Sequence, residues 1–145
     1  MNERAIIEIA RKEEKALKDF LKVLQGERDA IISFSLEGII QENNRKEEIL
    51  RKLEYLKSEK EKLLESMTDR EELLESRVWQ SIVKDMEHTM RDVKAALQKN
   101  MQLLSFSIDH VKSSIENIVG FVNSTSSLTY GKKQGQASML LSKVF

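Results

Sequence analysis

His88 and His110 are the two imidazoles of this 145-residue chain, which has no cysteine. The two lie 22 residues apart, so they cannot share a helical turn as a His-x-x-x-His metal site would. Glu87-His88 is not followed by the second His that a zincin needs. Without thiols, nucleophilic chemistry would fall to Ser, Thr or Lys. No Ser sits in a Gly-flanked elbow, and no Gly-rich loop is present to cradle a phosphate. The sequence therefore predicts no catalytic residue, no metal site and no cofactor: a binding protein rather than an enzyme.

Residues suited to binding are more numerous. Val111, Ile115, Ile118, Val119 and Val122 fall on one helical face, with Phe121 beside it, and the helix nears its end at Gly120. This face reads either as core or as a partner-binding strip, because little downstream is able to cover it. Met67, Met86, Met90 and Met101 lie on or near apolar seams and read first as gap-filling core. The second reading is an adaptable groove, since thioethers repack around different partners. Trp79 reads as a packing anchor near a helix start. Asn100, at a seam position, either fixes register or stays hydrated. Met139-Leu140-Leu141 and Val144-Phe145 form an apolar terminus of the kind that docks or folds on a partner.

These residues need long helices to position them. Ile6, Ala10, Leu17, Leu21, Leu24 and Ile31 recur at helical spacings, with Glu13 and Arg28 as polar interruptions. Ile49, Leu53, Leu56, Lys60, Leu63 and Met67 alternate steps of four and three, the pattern of a coiled-coil seam. A third series runs through Met86, Met90, Val93, Leu97, Asn100 and Leu104. It steps by four to Ile108, a stutter, and continues through Val111, Ile115 and Ile118. Ser33 to Gly38 predicts a break, and Thr68-Asp69-Arg70-Glu71 predicts a capping box opening a new helix. Whether residues 36–66 continue the first helix or fold back stays open. Helices of about 30 residues are roughly 45 Å long. The expected fold is all-α: an elongated, coiled-coil-like antiparallel bundle of three or four long helices, with a flexible C-terminal tail.

Composition supports that division. Residues 1–122 carry all 24 acids and 21 of the 24 bases, whereas residues 123–145 hold Lys132, Lys133 and Lys143 and no acid. We expect a bundle domain over 1–122 and a polar tail over 123–145. Glu8 with Lys12, Glu14 with Lys18, Glu42 with Lys46, Glu47 with Arg51 and Glu48 with Lys52 have the acid-first i,i+4 order of solvated helix faces. Zero formal net charge speaks against a nucleic-acid binder, and no run reaches the roughly 18 apolar residues of a membrane span. Absence of cysteine is compatible with a reducing cytosol.

The order of features resembles the FlgN family of flagellar export chaperones. The resemblance begins with Leu17-Lys18-Asp19-Phe20-Leu21-Lys22-Val23-Leu24 and the acid-led turn Glu27-Arg28-Asp29-Ala30-Ile31-Ile32. Arg45-Lys46-Glu47-Glu48-Ile49-Leu50 and Leu53-Glu54-Tyr55-Leu56 are similar to the family's second helical segment. Asn100-Met101-Gln102-Leu103-Leu104 resembles its Asn-x-x-Leu-Leu element, and Thr129-Tyr130-Gly131-Lys132-Lys133-Gln134-Gly135 its tail element. Met139 to Phe145 extends beyond that pattern. The resemblance implies a cytoplasmic protein that binds hook-associated (hook–filament junction) proteins, prevents premature assembly and presents them to the flagellar type III export gate. It places export-gate contact at Tyr130 and Gly131, and the Val111–Val122 face is the expected cargo surface. Two alternatives remain: a self-associating coiled-coil scaffold, or a histidine phosphotransfer bundle centred on His110-Val111-Lys112-Ser113-Ser114. In the last, Lys112 follows the His by two residues rather than three and so faces away from it.

Overall fold

The computed structural model describes residues 2–126. These residues contain four α-helices and no strand: α1 (Asn2–Ile32), α2 (Leu36–Ser66), the short α3 (Arg70–Glu75) and α4 (Arg77–Ser126). The chain divides into two compact units, Met1–Met101 and Gln102–Phe145. The first holds α1, α2, α3 and the first half of α4. The second, as far as it is described, is the remainder of α4.

Residues 36–66 fold back on α1. The reversal is a helix C-terminus closed by two backbone bonds, Ser35 N–H to Ala30 O at 2.9 Å and Phe34 N–H to Ile31 O at 3.1 Å. That pattern needs a left-handed residue between them, and Phe34 takes it with φ of 55°. The position ordinarily belongs to glycine, because a Cβ crowds the following carbonyl. Ser35 then caps α2, its hydroxyl accepting from Gly38 N–H at 3.1 Å. At Gly38 an added Cβ would lie 3.0 Å from the Ala30 Cβ, so a hydrogen there lets the two helices leave the turn close together.

Between Ser66 and Arg77 the predicted capping box does not form. Asp69, not Thr68, stands at the start of α3, and its side chain makes no capping bond. Arg70 instead turns back, its Nε donating to the Leu64 carbonyl at 2.7 Å and satisfying the end of α2. A second break follows at Ser76, whose hydroxyl accepts from Trp79 N–H at 3.4 Å as α4 begins. Gly120, expected near the helix end, lies inside α4, which continues to Ser126.

Two cores hold the first unit. At one end Ile6, Met67 and Leu73 bury against each other, with Leu63 and Trp79 packed on them. Further along, Phe20 and Leu24 of α1 meet Val93 of α4, with Ile49, Ala96 and Leu97 around them. Thus Ile6 neighbours the start of α4 and Leu24 a later turn, so α1 and this part of α4 run in the same direction. The predicted α1 seam is largely buried, from Ile6 through Ala10, Leu17 and Leu24 to Ile31.

The polar seam residues pair with one another. Lys60 Nζ lies 3.0 Å from Glu13 Oε1 and donates to Oε2 at 3.1 Å. Asn100 is buried, and its Nδ2 donates to the Leu24 carbonyl at 2.8 Å and to Glu27 Oε1 at 3.0 Å. The other oxygen of Glu27 meets Lys46. Residues from α1, α2 and α4 are thereby tied at one level. Lys46 consequently leaves its expected helical partner, and Glu42 pairs instead with Arg45 at 2.7 Å. Of the other predicted surface pairs, Glu14–Lys18 forms at 3.1 Å and Glu47–Arg51 at 4.0 Å.

Two substitutions test this account. Lys46→Met leaves Glu27 buried without its cation and is expected to cost about 2 kcal/mol, below the 3–5 of a fully buried pair because Lys46 keeps some exposure. Adding Glu27→Gln should restore most of that loss in urea unfolding. Phe34→Gly removes a left-handed non-glycine residue at an exposed site and should raise stability by about 1 kcal/mol in the same measurement.

Candidate functional site

Three long helices packed in this way do not close every apolar face. Between α2 and α4, floored by α1, lies an open groove of about 480 Å³. Ala10 and Leu17 form its floor, Leu50 and Leu53 its α2 wall, and Trp79, Val83, Met86 and Met90 its α4 wall. The pair of buried Glu13 and half-buried Lys60 sits at its base, and Glu54, Lys57 and Glu87 stand around its edge. A cleft of this size, apolar with a few charged groups at fixed places, is the usual form of a binding site.

The heptad reading assigned Met86 and Met90 to core, with a groove as the second reading. The structure favours the second: Met86 is half-buried and Met90 is 45% exposed. Leu50, outside the predicted seam, is 47% exposed on the opposite lip. The groove was partly legible in the methionines at seam positions of α4. Its depth was not, because it depends on how far α2 stands from α4, and no local pattern encodes that distance.

In the second unit, Leu104, Ile108, Val111, Ile115, Ile118 and Val122 continue the four–three alternation on one face of α4. None of the six is buried; Ile118 is 62% exposed and Val122 50%. Val119, beside them, is half-buried. All five residues expected to bind a partner are therefore described, on one helical face. Tyr130 and Gly131, and the apolar terminus Met139–Phe145, lie outside the described residues.

His110 is exposed on another face of α4, and its ring stacks on Phe106 one turn earlier, with centroids 6.3 Å apart and planes 9° from parallel. Among the described residues no three His, Asp or Glu side chains are grouped so as to hold a metal ion, and no helix is long and apolar enough to cross a membrane.

Along residues 1–138 the chain matches the family described as FlgN protein. It belongs to the FlgN family of flagellar export chaperones. No curated protein and no solved structure matches it. The elements that suggested FlgN acquire physical roles here. Asn100 of the Asn-x-x-Leu-Leu element donates to Glu27, which opens the acid-led turn, and Lys46 of the second segment closes the link. Those three pieces of sequence, far apart in the chain, meet at one buried point.

The groove and the core beneath it differ in what they tolerate. Met90→Glu, on the open lip, should leave helical content unchanged and the unfolding free energy from urea within about 0.5 kcal/mol of the parent. Val93→Glu, one turn away and 3% exposed, should unfold the first unit, since its carboxylate would be buried without a partner. Circular dichroism during urea titration distinguishes the two.

Proposed function

We propose that this FlgN-family protein binds hook-associated (hook–filament junction) proteins in the bacterial cytoplasm through the Val111–Val122 face of α4. It thereby prevents their premature assembly and hands them to the flagellar type III export apparatus. The observation that carries this reading is the apolar strip of the second unit. Six seam positions from Leu104 to Val122 hold only Leu, Ile and Val, and none of them is buried. Displaying so many β-branched residues to water is unfavourable by roughly 25 cal/mol per Å², and a monomer seldom retains such a strip unless it meets a partner.

Axial proteins that polymerise through amphipathic helices present the complementary surface. A helix laid along the strip would offer its own apolar residues at three- and four-residue spacing, the helix-in-groove form of recognition. Release is required for export, so the contact has to be reversible. An interface of one helical face without a deep pocket suits modest affinity. Contact of Tyr130 and Gly131 with the export gate completes the proposal. It rests on the resemblance of the Tyr-Gly-x-x-x-Gly element.

Ile115→Asp and Ile118→Asp test the cargo surface. Each should abolish capture of a co-expressed hook–filament junction protein, read by size-exclusion chromatography with light scattering, while helical content stays at the parent value. Capture undiminished by both variants would place the cargo elsewhere, and global unfolding would make the face core.

A further inference from the structure

We infer that the groove of the first unit is a docking site for a helix of a different protein, one that carries an arginine between two apolar residues on its buried face. The walls set the form of the occupant. Along α4, Val83, Met86 and Met90 step by three and four, and along α2, Leu50, Leu53 and Lys57 do the same. From Trp79 to Met90 the α4 wall is about 17 Å long at 1.5 Å per residue, or roughly three helical turns. Side chains at that alternation interdigitate with those of a helix laid between the walls.

The floor sets its chemistry. Glu13 lies there between Ala10 and Leu17, with its side chain 7% exposed. Lys60 Nζ donates to Oε2 at 3.1 Å. Oε1, although 3.0 Å from the same ammonium, accepts no hydrogen bond among the described residues. A buried carboxylate oxygen that accepts nothing is unfavourable, and an occupant of the groove can bring the donor it lacks. Charge decides the kind of donor. Glu13, Glu54 and Glu87 bring three carboxylates to the groove, against the two ammonium groups of Lys57 and Lys60. That excess of negative charge favours a cation over a neutral hydroxyl or amide. Arginine suits the place better than lysine, because its guanidinium is less strongly hydrated and its planar fork can serve Oε1 while Lys60 holds Oε2. Apolar residues three or four positions before and after the arginine then meet Ala10 and Leu17. The groove belongs to the first unit and the cargo face to the second. This partner is therefore distinct from the cargo, and the inference does not rest on the cargo assignment.

Trp79, the single tryptophan of the chain, lines the groove and reports on it directly. The probe is a synthetic helical peptide of about 15 residues, long enough to hold a helix, with a central arginine and leucines at the spacing above. Added to the full-length protein, it should shift Trp79 emission to saturation. Replacing its arginine by norleucine should weaken binding at least about tenfold. Against protein carrying Glu13→Gln and Lys60→Met together, which keeps the floor neutral, the two peptides should bind alike. Glu54→Lys with Glu87→Lys changes only exposed residues, so the fold stays intact, and should weaken the arginine peptide more than the norleucine one. The inference is overturned by an unmoved Trp79 emission, by equal binding of the two peptides to the parent, or by indifference to the reversed rim charges. A bound hook–filament junction protein should leave the peptide's affinity unchanged; displacement of the peptide would make the groove the cargo's own. Ile118→Asp should also leave it unchanged. Tighter peptide binding in that variant would mean that the chain's own strip fills the groove, which equally overturns the inference. The peptide titrations stand whether or not cargo capture succeeds in the separate co-expression assay.

Discussion

The amide of Asn100 is shut away from water among three helices, and the first unit is organised around satisfying it. A buried primary amide left without acceptors is costly. Here Nδ2 reaches both the Leu24 carbonyl and the Glu27 carboxylate, and Glu27 in turn is held by Lys46. Apolar contacts among Phe20, Leu24 and Val93 would survive a slide by one helical turn with new neighbours of similar shape. The hydrogen-bonded link would not survive it, because a slide leaves a buried charge and a buried amide facing hydrocarbon. Burial supplies most of the free energy of the unit, and this link selects the register in which it is gained.

That register also leaves the groove open. With α2 fixed on α1 by the Glu13–Lys60 and Glu27–Lys46 pairs, and α4 fixed on α1 by Asn100, the separation between α2 and α4 is set by their shared partner. Side chains that would otherwise interdigitate across the gap, Leu50 and Leu53 on one wall and Met86 and Met90 on the other, line it instead. The methionines suit such a position, being flexible enough to line an open wall without a fixed shape of their own. Glu13 at the base is compensated by Lys60.

Sequence periodicity carried the helices and most of the core, since an apolar residue every three or four positions has few structural meanings. The break near Ser33 was visible in its Ser and Gly residues, but the left-handed Phe34 was not. Aromatic residues give no turn signal, and the backbone adopts that conformation because two carbonyls of α1 need donors. The box at Thr68 matched a motif whose geometry did not materialise, because Arg70 satisfied the end of α2 and α3 closed after six residues. Phe20 was passed over as core since it lies outside the leucine series, yet it is 5% exposed. The polar residues in the seams were seen, but their partners were not. Glu13 with Lys60 and Glu27 with Asn100 are separated by 47 and 73 residues, and nothing local links them.

The distribution of those polar residues bears on how the chain keeps its apolar surfaces apart. Each core seam is interrupted by polar residues: Glu13 and Arg28 in α1, Lys60 in α2 and Asn100 in the first half of α4. The seam from Leu104 to Val122 carries none. All four have nearly the same spacing, so spacing alone would let the last compete with the others for a place in the core. If the Leu104–Val122 stretch replaced the α4 core seam, Glu27 would lose the Asn100 amide and gain a hydrocarbon neighbour. The alternative pairing is thus penalised by an unsatisfied carboxylate, while the correct one is not. A chain with an exposed apolar seam beside its core gains from such a device, because that seam is the nearest competitor for a place in the core. The buried polar link therefore makes the interior selective between two apolar stretches of nearly equal spacing, accepting the one that carries Asn100.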